Sequence, residues 1–206
     1  IYRWIRQGDI PCVVRRRKYY FNQSTLVSWA KSKHIHLEEH TRQAGKNNEQ
    51  VSQSRLIEAL KAGNVFQAVP SSSLESLFGE VAVRMALPQP TGDSLSDILL
   101  QREHLSSTGI GNGIAIPHSK TPLGKQISQS MVATFFLEKP MDFNAPDGLP
   151  VFVLFVLLSV DSFHHLLLLS QLARILSQPQ MNDFLKNSPS SENLIEQFQK
   201  ALAETA

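Results

Sequence analysis

The chain has 206 residues, of which 42% are hydrophobic, with one cysteine and a formal net charge of +2; that length accommodates a domain of about 150 residues plus a small module. Its longest apolar run, Val151 to Leu158, falls well short of the roughly 20 residues a bilayer-spanning helix needs, and the lone Cys12 excludes an internal disulfide or a cysteine-based zinc site. With no signal peptide visible, these features predict a cytoplasmic protein that carries no metal and no cofactor.

Charge is spread unevenly. Residues 1–48 hold ten Lys/Arg against three Asp/Glu, a net +7, and the remainder ten against fifteen, a net −5. A small basic module favours a polyanion, most simply nucleic acid, which the acidic remainder would repel. In chain order, Ile1 to Gln7 places Ile1, Trp4 and Ile5 on one helical face, and Gly8 is a C-terminal stop before Asp9-Ile10-Pro11. The chain opens on Ile1, without a methionine and inside this helix, so it is expected to continue upstream. Cys12 to Val14 and Lys18 to Phe21 read as two short strands joined by Arg15-Arg16-Arg17. Ser24 is positioned to cap a helix from Thr25 to Lys33, with Leu26, Trp29 and Ala30 inward. The polar stretch that follows is expected to fray and then form a linker over 45–53, which separates a module over 1–44 from a domain over 54–206.

The second domain begins with an amphipathic helix, Ser54 to Ala62, and a strand near Val65 to Ala68. Pro70 and the serine cluster end that strand and cap a helix from Leu74 to Leu87; Ser94 caps another, to His104. After the glycine-rich segment, Met131 to Leu137 and Val151 to Leu158 are candidate central strands. Asp161 or Ser162 caps a helix to Ser177, and helices near Gln180 to Lys186 and Ser191 to Leu202 finish the chain. Helices alternating with near-continuous apolar strands predict an α/β fold, a mixed sheet flanked by helices.

Ser107 to Lys120, STGIGNGIAIPHSK, is the most informative segment. Gly109, Gly111 and Gly113 do not match GxGxxG, and no Gly-Lys-Ser/Thr follows, so a nucleotide P-loop is not indicated. On spacing alone a structural turn and a phosphoryl cradle of backbone N–H groups stand level. Pro117 forces an extended approach, so His118 is expected at the end of a strand, where α/β sheets bind ligands. A single histidine is more often an ordinary surface or core residue. Here His164 and His165 add company: they lie in the first turn of a helix after an apolar strand, a place that favours anions. His165 shares its face with Leu169, Leu172 and Leu176, and His164 is rotated away.

Leu99 to Lys120, LLQREHLSSTGIGNGIAIPHSK, closely resembles the active-site segment of enzyme IIA domains of the bacterial phosphotransferase system, of the fructose/mannitol type and most of all its nitrogen-regulatory branch. The resemblance runs through Phe135 to Pro150 into SFHHLLLLSQLARIL and covers about Arg55 to the C-terminus. It implies an enzyme IIA type-2-like fold and a phosphohistidine intermediate, with His118 accepting a phosphoryl group from the histidine phosphocarrier protein. Arg102 would bind phosphoryl oxygens in a bidentate fork, His165 would donate a hydrogen bond to the phosphoryl group, and Gly109, Gly111 and Gly113 would form a cradle that lets the backbone approach it closely. Ser119 departs from the family, in which many members have glycine or alanine there.

The opening IYRWIRQGDIPCVVRRRKYYFNQSTLVSWAKS resembles the C-terminal two-thirds of small winged-helix DNA-binding domains of the excisionase/MerR kind. By that resemblance Ile1 to Gln7 is the recognition helix of a truncated winged-helix module. Arg3, Arg6 and Gln7 would meet base edges or phosphates, and Arg15, Arg16, Arg17 and Lys18 would contact backbone phosphates from the wing. A basic run is also commonly just a solvated hairpin. Such modules often read DNA as dimers, so a homo-oligomer is an open expectation, although no dimerisation helix stands out. The combined expectation is a phosphorylation-responsive transcriptional regulator; the alternatives are a phosphocarrier serving a separate sugar transporter subunit and a binding module that is never phosphorylated.

Overall fold

The apolar run Val151–Leu158 forms β7, the middle strand of a five-stranded mixed sheet in the computed structural model. The structure describes residues 11–15, 18–20, 22, 25, 28–29, 32, 45–70, 72–87 and 94–204. The chain divides into two units, Ile1–Ala44 and Gly45–Ala206.

In the first unit β1 (Val13–Arg15) and β2 (Lys18–Tyr20) pair antiparallel, with Val13 opposite Tyr20 and Arg15 opposite Lys18. This is the expected hairpin, with the first strand one residue later than Cys12 to Val14; Phe21 lies outside the described residues. Thr25, Ser28, Trp29 and Ser32 are helical. The expected helix over Ile1 to Gln7 lies outside the described residues.

The second unit runs α1 (Gly45–Ala62), β3 (Val65–Val69), α2 (Leu74–Met85), α3 (Leu95–Leu105), β4 (Gly109–Gly111), β5 (Ile114–Ala115), β6 (Met131–Met141), β7, α4 (Ser162–Leu176), α5 (Pro179–Leu185) and α6 (Ser191–Glu204). Strand order is β3-β6-β7-β5-β4; β3 runs parallel to β6 and β5 parallel to β7, while the β6–β7 and β4–β5 pairs are antiparallel. Strand side chains alternate between faces. Val153, Phe155 and Leu157 of β7 therefore pack with Leu56 and Leu60 of α1, Leu172 and Ile175 of α4 and Phe198 of α6. Leu154, Val156 and Leu158 pack on the opposite face with Leu77, Phe78 and Val81 of α2 and Leu95 and Leu99 of α3. Covering both faces explains why β7 reads as an unbroken apolar run rather than an alternating one. Each such residue, buried from water, contributes roughly 1.5–3 kcal/mol.

Side-chain caps begin four of the helices: Ser73 Oγ accepts from Ser76 N, Ser94 Oγ from Asp97 N, Asp161 Oδ1 from His164 N at 2.8 Å, and Ser190 Oγ from Asn193 N at 3.4 Å. Asp161, rather than Ser162, is thus the cap of α4. The linker expected over 45–53 is instead the first half of α1. Polarity had suggested irregular chain, but Lys, Glu and Gln are good helix formers, and a helix docked through Leu56 and Leu60 propagates upstream through such residues. β6 likewise runs past Leu137 through Pro140 to Met141, because the β6–β7 register breaks between Phe136 and Met141, where a missing N–H breaks no ladder bond.

Candidate functional site

The site forms where β5 runs out beside β7. Pro117 holds the chain extended, Leu157 N donates to Pro117 O at 2.9 Å, and His118 makes a parallel bridge to Leu157. His118 therefore continues the face of Ile114 and Ile116, the side of the sheet on which α4 packs. The residue is 8% exposed.

Hydrogen bonds assign its tautomer. His118 Nδ1 lies 2.7 Å from the Ile116 carbonyl oxygen, and a carbonyl only accepts, so Nδ1 carries the proton. Nε2 then holds the lone pair, and Arg102 Nε donates to it at 3.2 Å. Arg102 is oriented from the last turn of α3 by a second bond, Nη1 to Ser106 O at 2.8 Å. The His165 ring lies with its centroid 5.2 Å from that of His118, and its Nδ1 is 3.0 Å from Ser159 Oγ. The structure thus brings together His118, Arg102 and His165, sixteen and forty-seven residues apart in sequence.

Both rings favour the neutral form. Burial pushes the His118 pKa below the ordinary histidine value; the bond to Ile116 partly opposes this, while the nearby Arg102 charge and His165 add to it. Burial, then the Arg102 charge, lowers His165. His164 is turned away, as its helical position implied: Nδ1 donates to Asp161 Oδ2 at 2.7 Å and Nε2 accepts from Arg55 Nη1 at 2.9 Å.

Gly111 and Gly113 lie at the far end of the strand from His118, while Gly109 stands opposite Ala115. Phe152 N donates to Gly113 O, whereas His118 stands opposite Leu157. Five residues of strand, about 16 Å, therefore separate the Gly113 end from the histidine. Gly111, Asn112 and Gly113, with φ of +93°, +55° and +74°, turn the β4–β5 hairpin. That turn is held by Asn112 N donating to Asp147 Oδ2 at 2.6 Å. A Cβ on Gly113 would lie 2.5 Å from the Phe152 ring, and one on Gly109 2.8 Å from Ala145 Cβ. Of the two readings open from spacing, the structural turn accounts for Gly111 and Gly113.

Two residues escaped the sequence reading. Glu103 is 6% exposed; its carboxylate accepts from Thr108 N at 2.9 Å and from Thr108 Oγ1, tying the end of α3 to the strand that meets Ile116 N through Thr108 O. Its adjacency to Arg102 was the signal available. Ser159, fully buried, had none. Ser119, noted as a departure from relatives, is 1% exposed, and its Oγ has no hydrogen-bond partner among the described residues. Of the residues expected at DNA, Arg3, Arg6, Gln7, Arg16 and Arg17 lie outside the described residues; the backbones of Arg15 and Lys18 face each other where the β1–β2 hairpin turns. Among the described residues no group of three or more His, Cys, Asp or Glu is placed to hold a metal ion, and no helix is long and apolar enough to cross a membrane.

Residues 58–201 match the family model described as "Phosphoenolpyruvate-dependent sugar phosphotransferase system, EIIA 2", and residues 1–34 match a "Helix-turn-helix domain". Among curated proteins the chain is similar to the nitrogen regulatory protein of Pseudomonas aeruginosa, 37% identical over 68% of this chain and 92% of that protein. It is also similar to the fructose-specific EIIA component of Haloferax volcanii, 35% identical over 50% of this chain and 66% of that protein. Among solved structures, nitrogen regulatory protein IIA-Ntr from Neisseria meningitidis superposes with a TM-score of 0.57 at 29% identity, covering 69% of this chain and 98% of that one. IIA mannitol from Escherichia coli, at 18% identity and a TM-score of 0.53 over 66% of this chain and 95% of that one, shares the fold.

Proposed function

The chain belongs to the EIIA 2 family of the phosphoenolpyruvate-dependent sugar phosphotransferase system, and from that premise we propose that it accepts a phosphoryl group on His118 Nε2 from a histidine phosphocarrier protein and acts as a phosphorylation-responsive transcriptional regulator. The observation that carries the first part is the His118 Nδ1–Ile116 O bond, which leaves Nε2, met by Arg102 Nε, as the lone-pair nitrogen, with the His165 ring nearby.

The chemistry follows from that tautomer. Nε2 attacks phosphorus, the P–N bond to the donor histidine breaks, and the donor ring leaves as imidazole. The Nδ1 proton stays on the ring, where the Ile116 carbonyl stabilises the positive charge that the new Nε2–P bond creates. Arg102 Nε occupies the lone pair at rest, so the guanidinium must move aside as phosphorus arrives. It then meets the phosphoryl oxygens, exchanging a bond to a neutral nitrogen for charge-assisted ones. Catalysis here is positioning and charge stabilisation.

The regulatory part draws on the helix-turn-helix match over residues 1–34, the +7 charge of residues 1–48 and the nitrogen-regulatory relatives. Arg3, Arg6 and Gln7 would reach base edges or phosphates, with Arg15, Arg16, Arg17 and Lys18 on the backbone. Phosphorylation adds a charge of about −1.5 to −2, enough to change the contacts of a protein surface. The likeness to a fructose-specific EIIA component favours a second reading, a carrier that passes the group to a separate transporter subunit.

The test is intact mass after incubation with phosphoenolpyruvate, enzyme I and the histidine phosphocarrier protein, for wild type and His118→Ala. An acid-labile gain of about 80 Da, one phosphoryl group, is expected in wild type alone. No gain in either would make the domain a binding module. Onward transfer to a transporter domain would favour the second reading.

A further inference from the structure

His165 has two ring nitrogens with different surroundings. Nδ1 lies 3.0 Å from Ser159 Oγ, and Nε2 has no hydrogen-bond partner among the described residues. Either atom of the Ser159–His165 pair is able to donate, and the two choices give opposite tautomers. If His165 Nδ1–H donated to Ser159, the serine would need another acceptor for its own proton. Ser159 is 0% exposed, and Oγ has no second partner among the described residues. That choice buries an unsatisfied O–H donor, which is costly. With Ser159 donating to Nδ1, its only proton is used, and the His165 proton sits on Nε2.

We propose that Ser159 is a positioning residue that holds His165 in the Nε2–H tautomer, making it a neutral hydrogen-bond donor for a phosphoryl group on the neighbouring His118. The two histidines then carry their protons on opposite nitrogens. On His118 the Ile116 carbonyl takes Nδ1–H and leaves Nε2 as nucleophile; on His165 a serine hydroxyl fills the Nδ1 lone pair and leaves Nε2–H as donor. A main-chain acceptor and a side-chain donor thus set the two imidazoles to complementary tasks, with centroids 5.2 Å apart. A neutral donor stabilises phosphoryl oxygens without handing over a proton, so it supports the phosphohistidine rather than acting as an acid toward it.

This inference rests on the phosphoryl-acceptor reading of His118, and its test separates the two. Long-range hydrogen–nitrogen correlation spectra of the isotope-labelled full chain, at about pH 8 where imidazole is neutral, report the His165 tautomer without any phosphorylation. Wild type is expected to show Nε2–H, Ser159→Ala a mixture of tautomers, and Ser159→Thr, which keeps the hydroxyl, the wild-type pattern. In the phosphotransfer assay Ser159→Ala should slow acceptance or shorten the phospho-His118 lifetime a few-fold, roughly the factor by which the Nε2–H population falls, with Ser159→Thr restoring it. A wild-type Nδ1–H signal, or an unchanged His165 tautomer in Ser159→Ala, overturns the tautomer assignment. A changed tautomer with unchanged transfer and lifetime overturns the positioning role. Failure of wild type to be phosphorylated while its His165 shows Nε2–H overturns the acceptor reading and, with it, the catalytic use of the lock.

Discussion

At the residue scale, the proposed chemistry depends on His118 staying neutral, and both active-site rings favour that form. Burial lowers the pKa of both His118 and His165, while in the unfolded chain each titrates near 6.5. Below about pH 6.5 the unfolded state therefore binds more protons than the folded one, and folding stability falls as pH decreases until the lowered folded-state values are reached. Urea denaturation from about pH 5 to 7.5 should show midpoints that decline on the acid side, with a shallower decline in His118→Ala, which lacks one of the two groups. Equal, flat profiles would contradict the burial argument. Phosphoryl acceptance should correspondingly persist below pH 6.5, where a free imidazole would already be mostly protonated. Arg102 and His118 were legible in the family-like segment Leu99 to Lys120, and His165 in the second such stretch, SFHHLLLLSQLARIL. Ser159 and Glu103 were not, because a serine after an apolar strand and a glutamate in a helix acquire their roles only from what burial leaves them to bond with.

At the element scale, the glycine segment shows how one motif admits two tasks. Its spacing left a turn and a cradle level, and Gly111 and Gly113 adopt the positive φ of a turn. Pairing then decided which end of the strand they occupy, and that is the end away from His118. Gly113→Ala should cost about 1–3 kcal/mol, since it combines an unfavourable φ with a Cβ 2.5 Å from the Phe152 ring. Phosphoryl acceptance per folded molecule should stay at the wild-type level, measured by single-turnover labelling beside a denaturation curve; a selective loss of acceptance would reinstate the cradle. α1 makes the converse case. Its first nine residues read as linker on polarity and are helical, because helix propagation needs only adequate propensity once Leu56 and Leu60 have docked.

At the scale of the whole molecule, the contrast is between a basic N-terminal stretch and an acidic remainder. If the two units do separate work, residues 45–206 alone should fold and accept a phosphoryl group at the full-chain rate, while DNA binding is confined to the full chain and weakens steeply with salt. Loss of acceptance on truncation, or DNA binding by 45–206, would show the division to be wrong. The linear chain was sufficient to reveal the two-part organisation, the α/β class, the buried central strand and the histidine at a strand end, since each is written in local quantities: charge density, hydrophobic period and a short dense motif. The tertiary structure alone decided which nitrogen of each histidine is available, which end of β5 meets the helix α4, and which polar side chains lie buried as supports. Those depend on strand register and on what burial removes from water, and residues distant in sequence settle both.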